Sequence, residues 1–284
     1  MSERNKGILF ILLAAFFFAL MSILVRLAGD LPTMQKALFR NLVAVAVALI
    51  LILKSGQKPH IGKENMPSMI LRSAFGTLGL IANFYAVSHM TNVSDANMLN
   101  KLSPFFAMLM SIFILKEKAS KKEWLIVVAA FAGALCVIKP GFNMDIAPAL
   151  IGLIGGFGAG VAYTYVRKLG KNGVKGPVIV LFFSAFSCVV AIPFFIVQYT
   201  PMTLTQLLIL LGVGGAAACG QISITAAYTH APAKEISVFD YTQVIFAAIW
   251  GFILFDQLPD VVSLIGYIII IAAAVVRFLY NRKK

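Results

Sequence analysis

Two ionisable residues stand inside stretches that are otherwise almost wholly apolar. Lys101 lies seven residues into "SDANMLNKLSPFFAMLMSIFILKEK" (residues 94–118), and Asp240 lies six residues into "KEISVFDYTQVIFAAIWGFILFDQL" (residues 234–258). An ionised side chain inside a bilayer costs a few kcal/mol or more, so it faces a bundle interior or a water-filled cavity and pairs with something there. Lys101 begins roughly 12 Å from one end of its span and Asp240 roughly 10 Å from the opposite end, at about 1.5 Å per helical residue. A lysine stem is long enough to narrow the remaining gap. Lys101 and Asp240 are therefore expected to pair. Such a pair either fixes helix packing or exchanges one partner for a charged solute or a proton.

Other polar residues extend this patch by helical spacing. Asn97 lies one turn before Lys101, and Gln243 shares a face with Asp240 at i, i+3. Gln221, Thr225 and Tyr228 form one stripe at i, i+4, i+7, and Asn83 follows Gly76 and Gly79. Arg40 stands a turn or so inside another run, where it either attracts a carboxylate or phosphate or snorkels to headgroups. Tyr163, Tyr165 and Trp250 suit stacking against an aromatic solute. Each of these residues alone reads equally well as glue between helices; as a set on several helices they read as a cavity lining. His89 and His230 fall near span ends, where a solvated surface role is the simpler reading.

The elements that must position these residues follow from composition. The 284 residues are 60% hydrophobic and 12% charged, with a mean hydropathy of +0.91, against about 25% charged in soluble domains. This is an all-α integral membrane protein. Cutting at polar and Pro/Gly breaks predicts ten transmembrane helices near 7–28, 35–53, 68–90, 93–115, 122–139, 147–168, 176–198, 205–230, 234–255 and 260–280. The first run, residues 7–25, is too long for a signal-peptide h-region and is read as a span. Cys136, Cys188 and Cys219 each lie in apolar runs, without metal-ligand spacing.

Of the 24 basic residues, 19 fall on the side of the termini, four on the other side, and Lys101 within a span. The positive-inside bias places both termini in the cytoplasm, with the chain in the cytoplasmic membrane. The same clustering explains the net charge of +13 by topology and leaves no reason to invoke nucleic acid.

The chain also repeats itself. A shift of 140 residues lays the Lys101 segment on the Asp240 segment without a gap, pairing Asp95 with Glu235 and Asn100 with Asp240. A shift of 141 lays "AAFFFALMSILVR" on "GGFGAGVAYTYVR", pairing Arg26 with Arg167. Five spans per half make the repeat inverted, with residues 1–140 and 141–284 as the two halves. That is the architecture of many secondary transporters, whose substrate sits near the midplane.

"LFRNLVA", "NFYAVSHMTNVSDANMLNKLSPFFAMLMSIFILKEK", "AAYTHAPAKEISVFDYTQVIFAAIWGFILFDQ" and the Gly-rich "GLIGGFGAGVA" occur in that order. In this the chain resembles the drug/metabolite transporter superfamily, in particular its EamA-type ten-helix members. The resemblance covers nearly the whole chain and implies metabolite transport, usually export. The family often has a glutamate after both the fourth and the ninth spans; Glu117 fits the first place and Gln257 occupies the second. Gly152, Gly156 and Gly160 at i, i+4, i+8 permit close helix contact. No Walker A sequence is present, so gradients rather than ATP are expected to drive transport.

The reading that results is a secondary active transporter of an amino-acid-like or nucleoside-like, zwitterionic or weakly polar solute. Uptake or exchange of a nucleoside-like metabolite such as S-adenosylmethionine is the alternative, and a channel or membrane-embedded enzyme the competing class. An enzyme would need a nucleophile, paired carboxylates or metal ligands converging in the bundle, and the intramembrane acids are few and scattered. The expected partners are the small-molecule substrate, the lipid bilayer and a coupling proton, with no metal and no cofactor; monomer and homodimer both stay open.

Overall fold

The computed structural model describes residues 3–55, 61–116, 120–139, 146–230 and 237–282. Lipid offers backbone groups no hydrogen bonds, so the apolar runs satisfy theirs internally as helices, and no strand occurs among the described residues. The helices are α1 (Glu3–Leu27), α2 (Thr33–Ser55), α3 (Met66–His89), α4 (Val93–Asn100), α5 (Ser103–Ile114), α6 (Lys121–Ile138), α7 (Ile146–Lys171), α8 (Gly176–Val197), α9 (Leu204–His230), α10 (Thr242–Phe255) and α11 (Val261–Arg282). Short 3-10 turns occupy Lys63–Asn65 and Ser237–Tyr241.

Eight segments are long and apolar enough to cross a membrane, the broken pair α4–α5 counting as one. The two remaining crossings are shorter or more charged. The helix α6 opens on Lys121, Lys122 and Glu123 and is fixed by a capping box, with Ser120 N–H donating to Glu123 Oε2 at 2.6 Å and Glu123 N–H to Ser120 Oγ at 3.3 Å. The segment Phe239–Phe255 supplies the other. The expected ten-helix fold is present, and its outward faces carry bare apolar side chains such as Leu53, Leu125 and Val197, as lipid requires.

Hydrogen bonds sort the two ends of the bundle. At the end that carries the termini, Glu3 contacts His230 (2.7 Å), Asn172 donates to Asn65 (2.7 Å) and Tyr280 to Ser120 (3.2 Å). At the far end Gln35 donates to the Thr200 carbonyl (3.0 Å), the Val93 amide to Gln257 (3.3 Å), and Lys139 pairs with Asp260.

The helix pairings follow an approximate two-fold. The most extensive are α1 with α9 and α3 with α7; α2 packs on α8, α6 on α11 and α4 on α10. Under the 140-residue relation α1 corresponds to α7, α2 to α8, α3 to α9 and α6 to α11. The α1–α9 contact is thus exchanged with α7–α3, and the α2–α8 and α6–α11 contacts map onto themselves. This is an inverted repeat.

The helix α7 presents glycine on two faces. A Cβ on Gly158 would lie 2.8 Å from the Phe75 carbonyl oxygen and 2.9 Å from Gly79 Cα; one on Gly79 would lie 2.8 Å from the Ala159 nitrogen. Backbone rests on backbone along α3. The expected row behaves the same way toward the α4–α5 break, where a Cβ on Gly156 would meet the Leu99 carbonyl oxygen at 2.7 Å and one on Gly160 the Ser103 carbonyl oxygen at 2.7 Å.

Candidate functional site

The fourth crossing, expected as one helix over 93–115, is broken at Lys101 and Leu102. Pro104 is the cause: it has no amide hydrogen for the Asn100 carbonyl, and its ring would collide with that carbonyl in a continuous helix. The ninth crossing, expected as a helix over 234–255, instead reaches α10 through the 3-10 turn Ser237–Tyr241, where the Thr242 hydroxyl donates to the Phe239 carbonyl (2.7 Å). The two breaks occupy repeat-related positions. Discontinuous helices of this kind expose main-chain groups and concentrate charge at the midplane.

Lys101 Nζ lies 2.5 Å from Asp240 Oδ2, so the pair expected from depth alone forms, and it forms at the two breaks. Lys101 is buried and Asp240 half-buried, and Asp240 Oδ1 has no hydrogen-bond partner among the described residues. Tyr241 donates to the Lys101 carbonyl.

Asn97 and Gln243 meet each other rather than a cavity. Asn97 Oδ1 accepts from Gln243 Nε2 at 2.7 Å and from Ser22 Oγ at 3.0 Å, while its amide nitrogen donates to the Val93 carbonyl. Both are buried, so together with Ser22 they tie α1, α4 and α10 beside the ion pair. Trp250 packs against Phe16 of α1, with ring centroids 6.3 Å apart.

Arg40 is buried, and its guanidinium donates to Asn41 at 2.8 Å; it does not snorkel to the surface. Tyr163 is 57% exposed yet lies within electrostatic range of Arg40, Arg72 and Asp240. Asn83 is half-buried, its Oδ1 without a partner, beside the α3–α7 seam. Gln221 is half-buried on α9. The side chains of Thr225 and Tyr228 lie outside the described residues, as do Glu117 and Glu235.

One site residue escapes the sequence reading. Arg72, which enters there only in the count of basic residues on the side of the termini, stands inside α3, within a membrane-crossing segment. Its guanidinium carbon lies 3.9 Å from the centre of the Phe183 ring of α8. The signal was legible: Arg72, Gly76, Gly79 and Asn83 fall at i, i+4, i+7, i+11, one stripe of a helix.

The sequence matches the pattern of the EamA-like transporter family twice, over residues 5–139 and 147–279. It is 30% identical to a pseudopaline exporter of Pseudomonas aeruginosa over 95% of both chains. It is 24% identical to an S-adenosylmethionine uptake transporter of Rickettsia bellii, over 91% of this chain and 87% of that one. Identity to a riboflavin transporter of Vibrio cholerae is 23%, over 98% and 95%. A solved crystal structure superposes with a TM-score of 0.66 over 98% of both chains at 15% identity, which bears on the fold alone. With the family pattern matched across both halves of a ten-helix bundle, the chain belongs to the EamA-like transporter family and is a multi-pass membrane transporter of small metabolites, not an enzyme.

Proposed function

We propose that the chain is a secondary active transporter that exports an amino-acid-like or nucleoside-like solute across the cytoplasmic membrane by alternating access, with both termini in the cytoplasm. Residues 1–140 and 141–284 are the two halves that rock about the site. The observation that carries this reading is the Lys101–Asp240 pair, held at 2.5 Å between two repeat-related helix breaks. An ion pair built from both halves is broken or remade when the halves move, which is what couples a solute or proton to the motion. Asp240 Oδ1, free of a partner, is the acceptor for either.

In this reading Lys101, Asp240, Tyr163, Asn83 and Arg40 face the solute, with Gln221 and Trp250 on the walls of the second half, while Asn97 and Gln243 hold the breaks in place. The basic bias supports the orientation, and the exporter among the relatives supports the direction. Uptake of a nucleoside-like metabolite is the second reading, favoured by the S-adenosylmethionine uptake transporter.

The test is a thermal-shift screen of the purified protein against amino acids, nucleosides, cofactors and organic cations, since a ligand that binds only the folded state raises its stability. A hit is then carried into proteoliposome counterflow, where a transporter saturates and shows trans-stimulation. Linear, non-saturating flux would identify a channel instead.

A further inference from the structure

The buried and half-buried basic side chains of this bundle divide into two kinds. Arg26 donates to the carbonyls of Val87, Ser88 and Met90, and Lys36 to the Gly29 carbonyl and the Ser88 hydroxyl. Arg277 donates to the Pro104 carbonyl, while Lys139 and Lys101 pair with aspartates. Each of these ties one element to another. Arg40 and Arg72 do not: Arg40 donates to Asn41 of its own helix, while its Nε, and Nε and Nη1 of Arg72, are shut away from solvent with no hydrogen-bond partner among the described residues.

Both instead stand over one ring. The guanidinium carbon of Arg72 is 3.9 Å from the centre of Phe183, and that of Arg40 is 5.7 Å from it. Gly76, one turn beyond Arg72, makes the room, because a Cβ there would lie 2.9 Å from Arg72 Nη1 and 3.0 Å from Phe183 Cε2. An aromatic ring engages the face of a guanidinium and leaves its in-plane N–H edge unused. That edge matches two oxygens of a carboxylate or phosphate.

The charges agree with the geometry. Arginine keeps its charge in proteins, and Tyr163 lies within electrostatic range of Arg40, Arg72 and Asp240 alike. Counting Lys101, this region holds three positive side chains and one negative. An unpaired buried guanidinium is strongly unfavourable, so the surplus calls for an anion.

We infer that Arg40 and Arg72, oriented by Phe183 and admitted by Gly76, form the docking site for an oxyanion of the transported solute, which is thus net anionic rather than weakly polar. The inference rests on the transporter reading above and supplies its substrate class.

The experiment compares the purified full-length protein with Arg72→Gln and Arg40→Gln. Binding of citrate, glutamate and inorganic phosphate is measured by thermal shift and by calorimetry at constant ionic strength set with sodium chloride, with glutaramide, which carries no carboxylate, as the uncharged analogue. We expect stabilisation of the wild type by at least one of the three anions, none by glutaramide, and at least a tenfold loss of affinity in each variant. Unliganded Arg72→Gln should melt no lower than the wild type, since it removes an unpaired charge; an arginine that merely braced the helices would leave it less stable. Citrate or glutamate against phosphate decides between carboxylate and phosphate. Stabilisation by phosphatidylglycerol micelles alone, or equal affinity in wild type and variants, overturns the site. Counterflow in proteoliposomes separates the two readings: saturable transport of any solute at wild-type rate by Arg72→Gln ends the anion site and leaves the transporter, whereas arginine-dependent binding without flux leaves the site and removes that solute as cargo.

Discussion

Tyr241 donates its hydroxyl to the carbonyl oxygen of Lys101 at 3.1 Å, and the two residues are 140 apart, the spacing of the repeat. Each break in the fourth and ninth crossings thus meets its own counterpart. The carbonyl of Lys101 lies at the interruption that Pro104 creates, so a hydroxyl from the other half of the molecule takes the place of a helical amide. The same residue whose ammonium reaches Asp240 is held through its main chain by the neighbour of Asp240.

Tyr241→Phe removes that hydrogen bond while keeping the ring, and should cost about 1 kcal/mol of stability. The Lys101 carbonyl is then buried without its partner and the break loosens. Transport turnover should fall more than solute affinity does. Thermal melts and counterflow on one preparation check this; a variant with wild-type turnover would show that the contact serves packing only.

Lys101→Ala leaves Asp240 without its cation in a site where breaking a buried pair costs roughly 3 kcal/mol, less what the partly exposed aspartate recovers from water. The double variant Lys101→Ala/Asp240→Ala should regain most of the lost melting temperature. Transport should be absent from both. Restored flux in the double variant would identify the pair as a packing device, and undiminished flux in the single variant would remove Lys101 from the site.

Gly158→Val and Gly79→Leu place side chains where even a Cβ would meet main-chain atoms at 2.8 Å. Overpacking of this kind costs about 1–3 kcal/mol. Gly215→Ala is the matched control on α9, since a Cβ there meets nothing within 4 Å; it should be neutral or slightly stabilising. A melting series of the three variants in detergent decides, and equal effects at Gly215 and Gly158 would contradict the backbone-to-backbone seam.

Asp260 offers a pH test at the far end. Its partial burial would raise its carboxyl, but the Lys139 ammonium and the Ser263 amide outweigh this and hold it below the ordinary carboxylate range. A lowered folded value means the contribution is complete above the unfolded value of about 3.9 and is lost as pH falls through the folded one. Because Asp260 is 55% exposed, the effect should be no more than about 0.5 kcal/mol. Asp260→Asn should lower the melting temperature slightly at pH 6–8, and the gap should close below about pH 4.

Much of the architecture is legible in the sequence because lipid imposes it. Hydrocarbon thickness sets the length of a span and an odd number of spans per half inverts the repeat, so the ten helices follow from apolar runs and basic clusters. The Lys101–Asp240 contact is legible for a related reason, since depth along two repeat-related helices fixes height in the bilayer. Rotation about the helix axis is not fixed that way. Asn97 and Gln243 sit at the right depth but turn toward each other and Ser22, whereas Arg72, counted only toward the charge bias, turns inward over Gly76. The breaks were equally available: Pro104, three residues after Lys101, already forbids a continuous fourth helix.

Gln257, at the place where the family resemblance implies a glutamate, accepts through its side chain from the Val93 amide at the start of α4. A neutral amide is enough there, because the contact is a hydrogen bond to a helix N-terminus rather than an ion pair.

The two helices that pseudo-symmetry exchanges are made of different material. In the aligned segments Phe17 and Phe18 of α1 stand where α7 has Gly158 and Ala159. Around α1 the contacts are aromatic, with Phe18 against Gly220 of α9 and Phe16 against Phe246 and Trp250 of α10. Around α7 the seam with α3 is largely main chain, with one ring, Phe157, edge-on to Phe75 and Phe106. Displacement along α7 slides main chain past main chain and moves that one ring, whereas displacement along α1 must re-seat Phe16 and Phe18 together. If the halves alternate as proposed, the inward-facing and outward-facing forms, which a perfect two-fold would make degenerate, are unequal in energy, and the empty carrier has a resting side written into its composition before any solute arrives.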